Sequence, residues 1–83
     1  MNNIQKVTIA PKALQYLISR KLEKQYHKAK SYILDGKWRN VHLKIREPKS
    51  YQLWYFRINQ QYRALCKLKW TTLEVYGIDN HQN

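Results

Sequence analysis

LWYFRINQQYRALCKLKWTTLEVYGIDNH, residues 53–81, reads as three consecutive strands and a tail. Side chains alternate faces along a strand, so a slip of one residue inverts every assignment. With Asn59, Gln60 and Gln61 as a three-residue hairpin loop, Ile58 faces Tyr62, Phe56 faces Ala64 and Trp54 faces Cys66. That face is almost wholly apolar. The other face pairs Arg57 with Arg63, Tyr55 with Leu65 and Leu53 with Lys67. A two-residue loop would mix the faces and is rejected.

A second hairpin, with Lys69 to Thr72 as its loop, sets Leu68 opposite Leu73, Cys66 opposite Val75 and Ala64 opposite Gly77. Its other side sets Lys67 opposite Glu74, Leu65 opposite Tyr76 and Arg63 opposite Ile78. The Lys67–Glu74 match is an opposite-charge cross-strand pair, which favours this register.

In this register Arg57 and Arg63 oppose each other, an arrangement that disfavours the sheet unless an anion bridges them. The guanidinium fork suits phosphate. His81 lies three residues beyond Ile78, about 10 Å at ~3.4 Å per residue. Two arginines, a histidine and Asp79 are therefore expected at one end of the sheet.

The whole chain is consistent with one domain, residues 1–83, and no repeats or linkers divide it. Hydrophobic residues make up 43%, enough for a small core. Sixteen Lys and Arg against five acids give a net charge of +11, which calls for a polyanion, an acidic membrane or an acidic protein, nucleic acid being the commonest. Cys66 is the only cysteine, so neither a disulfide nor a cysteine-based zinc site can form within the chain, and it is expected in the core. His27, His42 and His81 lack metal-ligand spacing, and two glycines leave no phosphate-cradling loop, so neither metal nor cofactor is expected. No run approaches a membrane span, and MNNIQKVTIAP lacks the apolar stretch of a secretory signal. An intact cytoplasmic chain without membrane contact is the expectation.

Upstream of the sheet, Ile4 to Ile9 alternates and predicts a short strand near a sheet edge, with Ile4, Lys6 and Thr8 on one side and Gln5, Val7 and Ile9 on the other. Pro11 suits a first helical position. Leu14, Leu17, Ile18 and Leu22 form one helical stripe; Tyr26, Ala29, Ile33 and Tyr32 form another, closed by Asp35 and a left-handed Gly36. A single rod from Pro11 to Asp35 would span about 37 Å, too long for a domain whose expected radius of gyration is about 12 Å. A break within Arg20 to Gln25 is expected, folding the segment into a helical hairpin on the sheet. Trp38 and Val41 are expected to anchor the next segment to the core, and Pro48 argues against a central strand there. Lys44, Arg46 and Lys49 make a basic approach to the sheet, fit for a phosphate backbone. With Lys67 they are the expected RNA-binding set.

A cluster of Arg57, Arg63, Asp79 and His81 fits RNA cleavage. The 2′-hydroxyl must lose a proton, the phosphorane needs cationic support, and the 5′-oxygen leaves better protonated. Histidine serves the proton transfers near neutral pH.

The runs WYFRINQQYRALCKL and LEVYGIDNH resemble the RelE/HigB/ParE superfamily of bacterial type II toxins, chiefly its RelE-like and HigB-like members. The resemblance covers the second half of the chain; the first half matches in its strand–helix–helix order. It implies a compact α+β domain of order β-α-α-β-β-β, an antiparallel sheet with a helical hairpin on one face. It implies metal-independent cleavage of mRNA in the ribosomal A site, and an antitoxin protein as partner. Arg57 and Arg63 match positions that support the phosphate, His81 the C-terminal histidine, and Asp79 the acid two residues before it. HigB-like members often carry tyrosine before that histidine; Asn80 stands here, which leaves Tyr55 or Tyr76 for a stacking role. Two alternatives remain open: a ParE-like inhibitor of DNA gyrase, and a basic RNA-binding module without catalysis.

Overall fold

In the computed structural model, which describes residues 3–80, the apolar alternation of the C-terminal half lies against two helices. The described residues form β1 (Lys6–Ile9), α1 (Pro11–Ser19), α2 (Glu23–Leu34), β2 (Lys44–Ile45), β3 (Leu53–Arg57), β4 (Tyr62–Lys69) and β5 (Thr72–Asn80). Short 3-10 turns at Trp38–Val41 and Lys49–Tyr51 flank β2. The strand order is β1-β5-β4-β3-β2, an α+β fold with both helices over one face of the sheet.

The β3–β4 hairpin has the expected register: Trp54 pairs with Cys66, Phe56 with Ala64, and Arg57 with Arg63. Asn59 explains the loop. Its side-chain oxygen accepts from the backbone N–H groups of Gln61 and Tyr62, both at 2.8 Å. That is an Asx turn, which a short polar side chain offers the backbone. Phe56, Ala64 and Cys66 are fully buried.

Besides the added edge strand β2, three features of the strands differ from expectation. The sheet is mixed, because β1 runs parallel to β5 with Val7 beside Leu73. No tight turn joins these two strands, so nothing local imposes an antiparallel direction. The β4–β5 hairpin keeps its expected register from Leu68–Leu73 to Cys66–Val75, with Lys69 and Thr72 paired and a loop of only Trp70 and Thr71. Past Cys66 the register shifts: Leu65 pairs with Gly77, Ala64 with Ile78 and Arg63 with Asp79. Tyr76 is the extra residue of a β-bulge. The bulge moves Ile78 to the core side and Asp79 to the row of Arg63. Third, Ile4 is buried instead of sharing a face with Lys6. The Gln5 and Lys6 N–H groups both donate to the Thr71 carbonyl (2.8 and 3.2 Å), so the chain bends before β1 and turns Ile4 inward.

The helical segment breaks where compactness requires, at Arg20–Leu22, and the radius of gyration is 11.8 Å. Each helix ends in a Schellman motif. In α2 Gly36 takes φ +77°, with Gly36 N–H to Ile33 and Lys37 N–H to Tyr32. In α1 the same bonds run from Lys21 to Ile18 and from Leu22 to Leu17, and Leu22 is buried. The left-handed position there is Lys21, φ 58°. Of the expected α1 stripe only Leu17 and the terminal Leu22 are covered; Ala13 joins them, while Leu14 (37%) and Ile18 (50%) are exposed. α1 packs on β5. The contact seam runs along Ala13 and Leu17, and Leu14 and Ile18 stand one row beyond it. Trp38 lies against Trp54 and donates its indole N–H to the Ile33 carbonyl at 3.1 Å, and Val41 is buried as expected. β2 is an edge strand, consistent with the Pro48 that follows it. No helix among the described residues is long and apolar enough to cross a membrane.

Two buried titratable groups sit at the centre. Burial drives the Cys66 thiol well above its ordinary value of 9.0. Burial, then the neighbouring Cys66, pushes the Tyr26 hydroxyl up from 10.0 to about 12. That hydroxyl finds no protein partner among the described residues. Both groups keep in the folded state protons that the unfolded chain releases, so their contribution is complete below pH 9.0 and declines as pH rises. The Tyr26 part falls away between pH 10.0 and about 12. Urea titrations at neutral pH and at about pH 11 should show Tyr26→Phe losing less stability than the parent, by up to ~1.4 kcal/mol per pH unit across that window. Equal losses would place the phenol in water. Separately, Lys21→Gly relieves a side chain held in the left-handed region. It should stabilise the fold by about 0.5–1 kcal/mol and raise Tm by about 3–6 °C in a thermal melt.

Candidate RNA-binding and cleavage face

The helices cover one face of the sheet, so residues paired on the other face form a continuous surface. Register fixes its members. Lys44 pairs with Tyr55, Tyr55 with Leu65, Leu53 with Lys67, Lys67 with Glu74, and Arg63 with both Arg57 and Asp79. Lys69 pairs with Thr72, and Thr72 with Lys6. Cations dominate this face. Glu74 and Asp79 are the acids on its strands.

A cleft of about 300 Å³ opens here, lined by Arg46, Tyr55, Arg63, Leu65 and Asp79. The Arg63 guanidinium carbon lies 5.4 Å from the centre of the Tyr55 ring, a cation–π contact that holds it over the sheet. Arg46 enters from the edge, where its backbone N–H donates to the Leu53 carbonyl at 2.7 Å. Asp79 arrives through the bulge; in an unbroken register Ile78 would stand beside Arg63. Arg63 and Asp79 are half-buried, whereas Lys44, Arg46, Lys49, Arg57 and Lys67 are exposed. An oriented guanidinium, an exposed one, an aromatic floor and a carboxylate in one cleft can take a phosphate and a base.

The expected residues divide into groups. Arg63, Asp79 and Arg46 share the cleft. Lys44 and Lys67 stand on the same face of the sheet. Lys49 begins a 3-10 turn outside the sheet. Arg57 pairs with Arg63 on the backbone, yet it is among the residues that line a different cleft, of about 440 Å³, with Lys28, Tyr32, His42 and the 58–60 loop. His81 lies outside the described residues. His42, isolated in sequence, gains Lys28 and Arg57 as cleft companions through the left-handed turn that it closes, φ 53°. Periodicity carries no trace of that meeting.

No known protein-family model matches the chain, and no curated protein matches it as a relative.

The Arg57–Arg63 juxtaposition should be visible in stability. Arg57→Gln is expected to raise the thermal midpoint at low ionic strength, with the gain shrinking as salt screens the pair. A salt-independent change would show that the two charges do not repel across the strands.

Proposed function

We propose that this chain is a RelE-like or HigB-like toxin of a type II toxin–antitoxin pair, a ribosome-dependent endoribonuclease that cuts mRNA in the A site without a metal. The observation that carries this reading is the cleft on the uncovered face, with Arg63 over Tyr55 and Asp79 and Arg46 beside it.

The chemistry follows from those groups. Arg63, already oriented by Tyr55, and Arg46 neutralise charge on the phosphorane. Asp79 stands beside Arg63 on the neighbouring strand, in the same cleft. Tyr55 offers a face for a base and takes the stacking role that Asn80 cannot. His81 is the group expected to move protons between the 2′-hydroxyl and the 5′-oxygen. Lys44 and Lys67 attract the message along the face, and Lys49 and Arg57 extend the positive field at its margins. The activity belongs in the cytoplasm, where ribosomes translate. The antitoxin expected as partner has an apolar foothold in Leu14 and Ile18, exposed one turn apart on α1.

Translating ribosomes incubated with the purified chain should yield messages cut in the A site, read by primer extension. Arg63→Ala should slow cutting by about 10²-fold or more while the circular dichroism spectrum is retained. His81→Ala should abolish it. Intact messages together with inhibited DNA gyrase would replace this reading with the ParE-like one. Intact messages with RNA still bound would leave a binding module.

A further inference from the structure

Four described non-glycine residues have positive φ: Lys21, His42, Gln52 and Trp70. The first three close helical turns, where backbone hydrogen bonds reward the conformation. Trp70 differs. It stands at φ 56° in the two-residue turn between β4 and β5, and its side chain is 93% exposed. Asn or Gly would occupy such a turn at less cost. Neither packing nor turn geometry accounts for an indole there.

Its surroundings suggest what does. Trp70 borders a cleft of about 410 Å³ with Asn3, Gln52, Leu68 and Thr71. Gln52 is fixed: its amide donates to the Lys49 carbonyl at 3.0 Å, its oxygen accepts from the Trp54 indole at 3.5 Å, and its backbone carbonyl accepts from Leu68 at 3.1 Å. One amide hydrogen of Gln52 remains to be donated. The row next to the turn is Lys69, Thr72 and Lys6, and both lysines are exposed. No acid lines the cleft.

We infer that this end of the sheet is a base-binding subsite for single-stranded RNA, in which Trp70 stacks on an unpaired base. Lys6 and Lys69 neutralise the adjoining phosphates, and the Asn3 and Gln52 carboxamides meet the edge of the base. A stacking face beside a basic track is what unpaired strands require. Arg63 and Lys69 lie six residues apart on β4, roughly 20 Å at ~3.4 Å per residue. A strand several nucleotides long would therefore run over Lys67 from the Arg63 cleft to Trp70. The inference rests on the nucleic-acid reading above and adds where the strand is gripped.

The test is fluorescence anisotropy of a labelled, unstructured oligoribonucleotide, with an abasic strand of equal length beside it. Trp70→Ala should weaken binding of the base-bearing strand about tenfold, and Trp70→Phe by no more than about threefold. The abasic strand should bind the parent and Trp70→Ala alike. Trp38 and Trp54 are half-buried, so quenching of indole emission by the strand should largely vanish in Trp70→Phe. Unchanged binding by Trp70→Ala overturns the subsite, as does Phe failing like Ala or an equal loss on the abasic strand. Anionic vesicles that depend on Trp70 while RNA does not would assign the indole to a lipid surface instead. Failure of the nuclease reading looks different: messages stay intact on ribosomes while the Trp70 dependence of oligonucleotide binding persists.

Discussion

β4 is paired on both sides, and each residue it commits to the helices commits its neighbours to the opposite surface. Ala64, Cys66 and Leu68 are buried, so Arg63, Leu65 and Lys67 have only the open face to occupy. The apolar seam and the basic surface are thus one constraint seen from two sides. The seam also has the material to enforce it. Phe56 and Tyr26 stack with ring centres 6.4 Å apart, and Leu17, Ile33, Leu73 and Val75 fill in around them with at most 1% exposure. Burial of each such side chain is worth about 1.5–3 kcal/mol. A cross-strand repulsion costs about 0.2–1 kcal/mol, so the core can hold two arginines opposite each other in the ladder.

Strict alternation would nevertheless give a poorer open face than the one observed. Carried unbroken along β5, it would set Ile78 beside Arg63 and leave Gly77 against Ala64. The bulge at Tyr76 corrects both positions. An isoleucine goes to the core, and a carboxylate comes to the arginine. Bulges re-aim side chains in this way next to functional sites. Here the extra residue separates a β5 segment that serves mainly the core from one that also serves the cleft.

How much of this could be read in the letters varies with what encodes it. The β3–β4 register was legible because only one loop length segregates apolar from polar side chains, and Asn59 supplies the turn. The helix break was legible from size alone; no residue announces it, since a lysine takes the position that glycine usually fills. The parallel pairing of β1 was not legible, because direction between distant strands is set by the whole chain. An isolated glycine in a strand is the signal for a bulge. Gly77 carries that signal, though its backbone is not left-handed and a Cβ there would meet only Leu65 Cδ1 at 4.0 Å. The glycine marks the bulge without being required by it. Tertiary contact alone brings His42 and Lys28 to Arg57, and no spacing rule reaches that far.

The two arginines show why backbone pairing and chemical partnership are separate questions. Arg57 and Arg63 oppose each other in the ladder, but Arg63 lies over Tyr55 while Arg57, at the last position of β3, borders the cleft that Lys28 of α2 also lines. Their charges are relieved differently. Arg63 pairs with Asp79 on the next strand and lies over the Tyr55 ring, and the aromatic contact orients it within the fold. Arg57 lines a cleft that also holds Lys28 and His42 and no acid, and its charge is left for solvent or an incoming anion to answer. An oriented cation lowers the cost of reorganisation during a reaction, whereas a free one mainly raises the local potential. In the proposed reaction this asymmetry would give chemistry to Arg63 and attraction to Arg57, a division that follows from which strand ends at the pair and which continues through it.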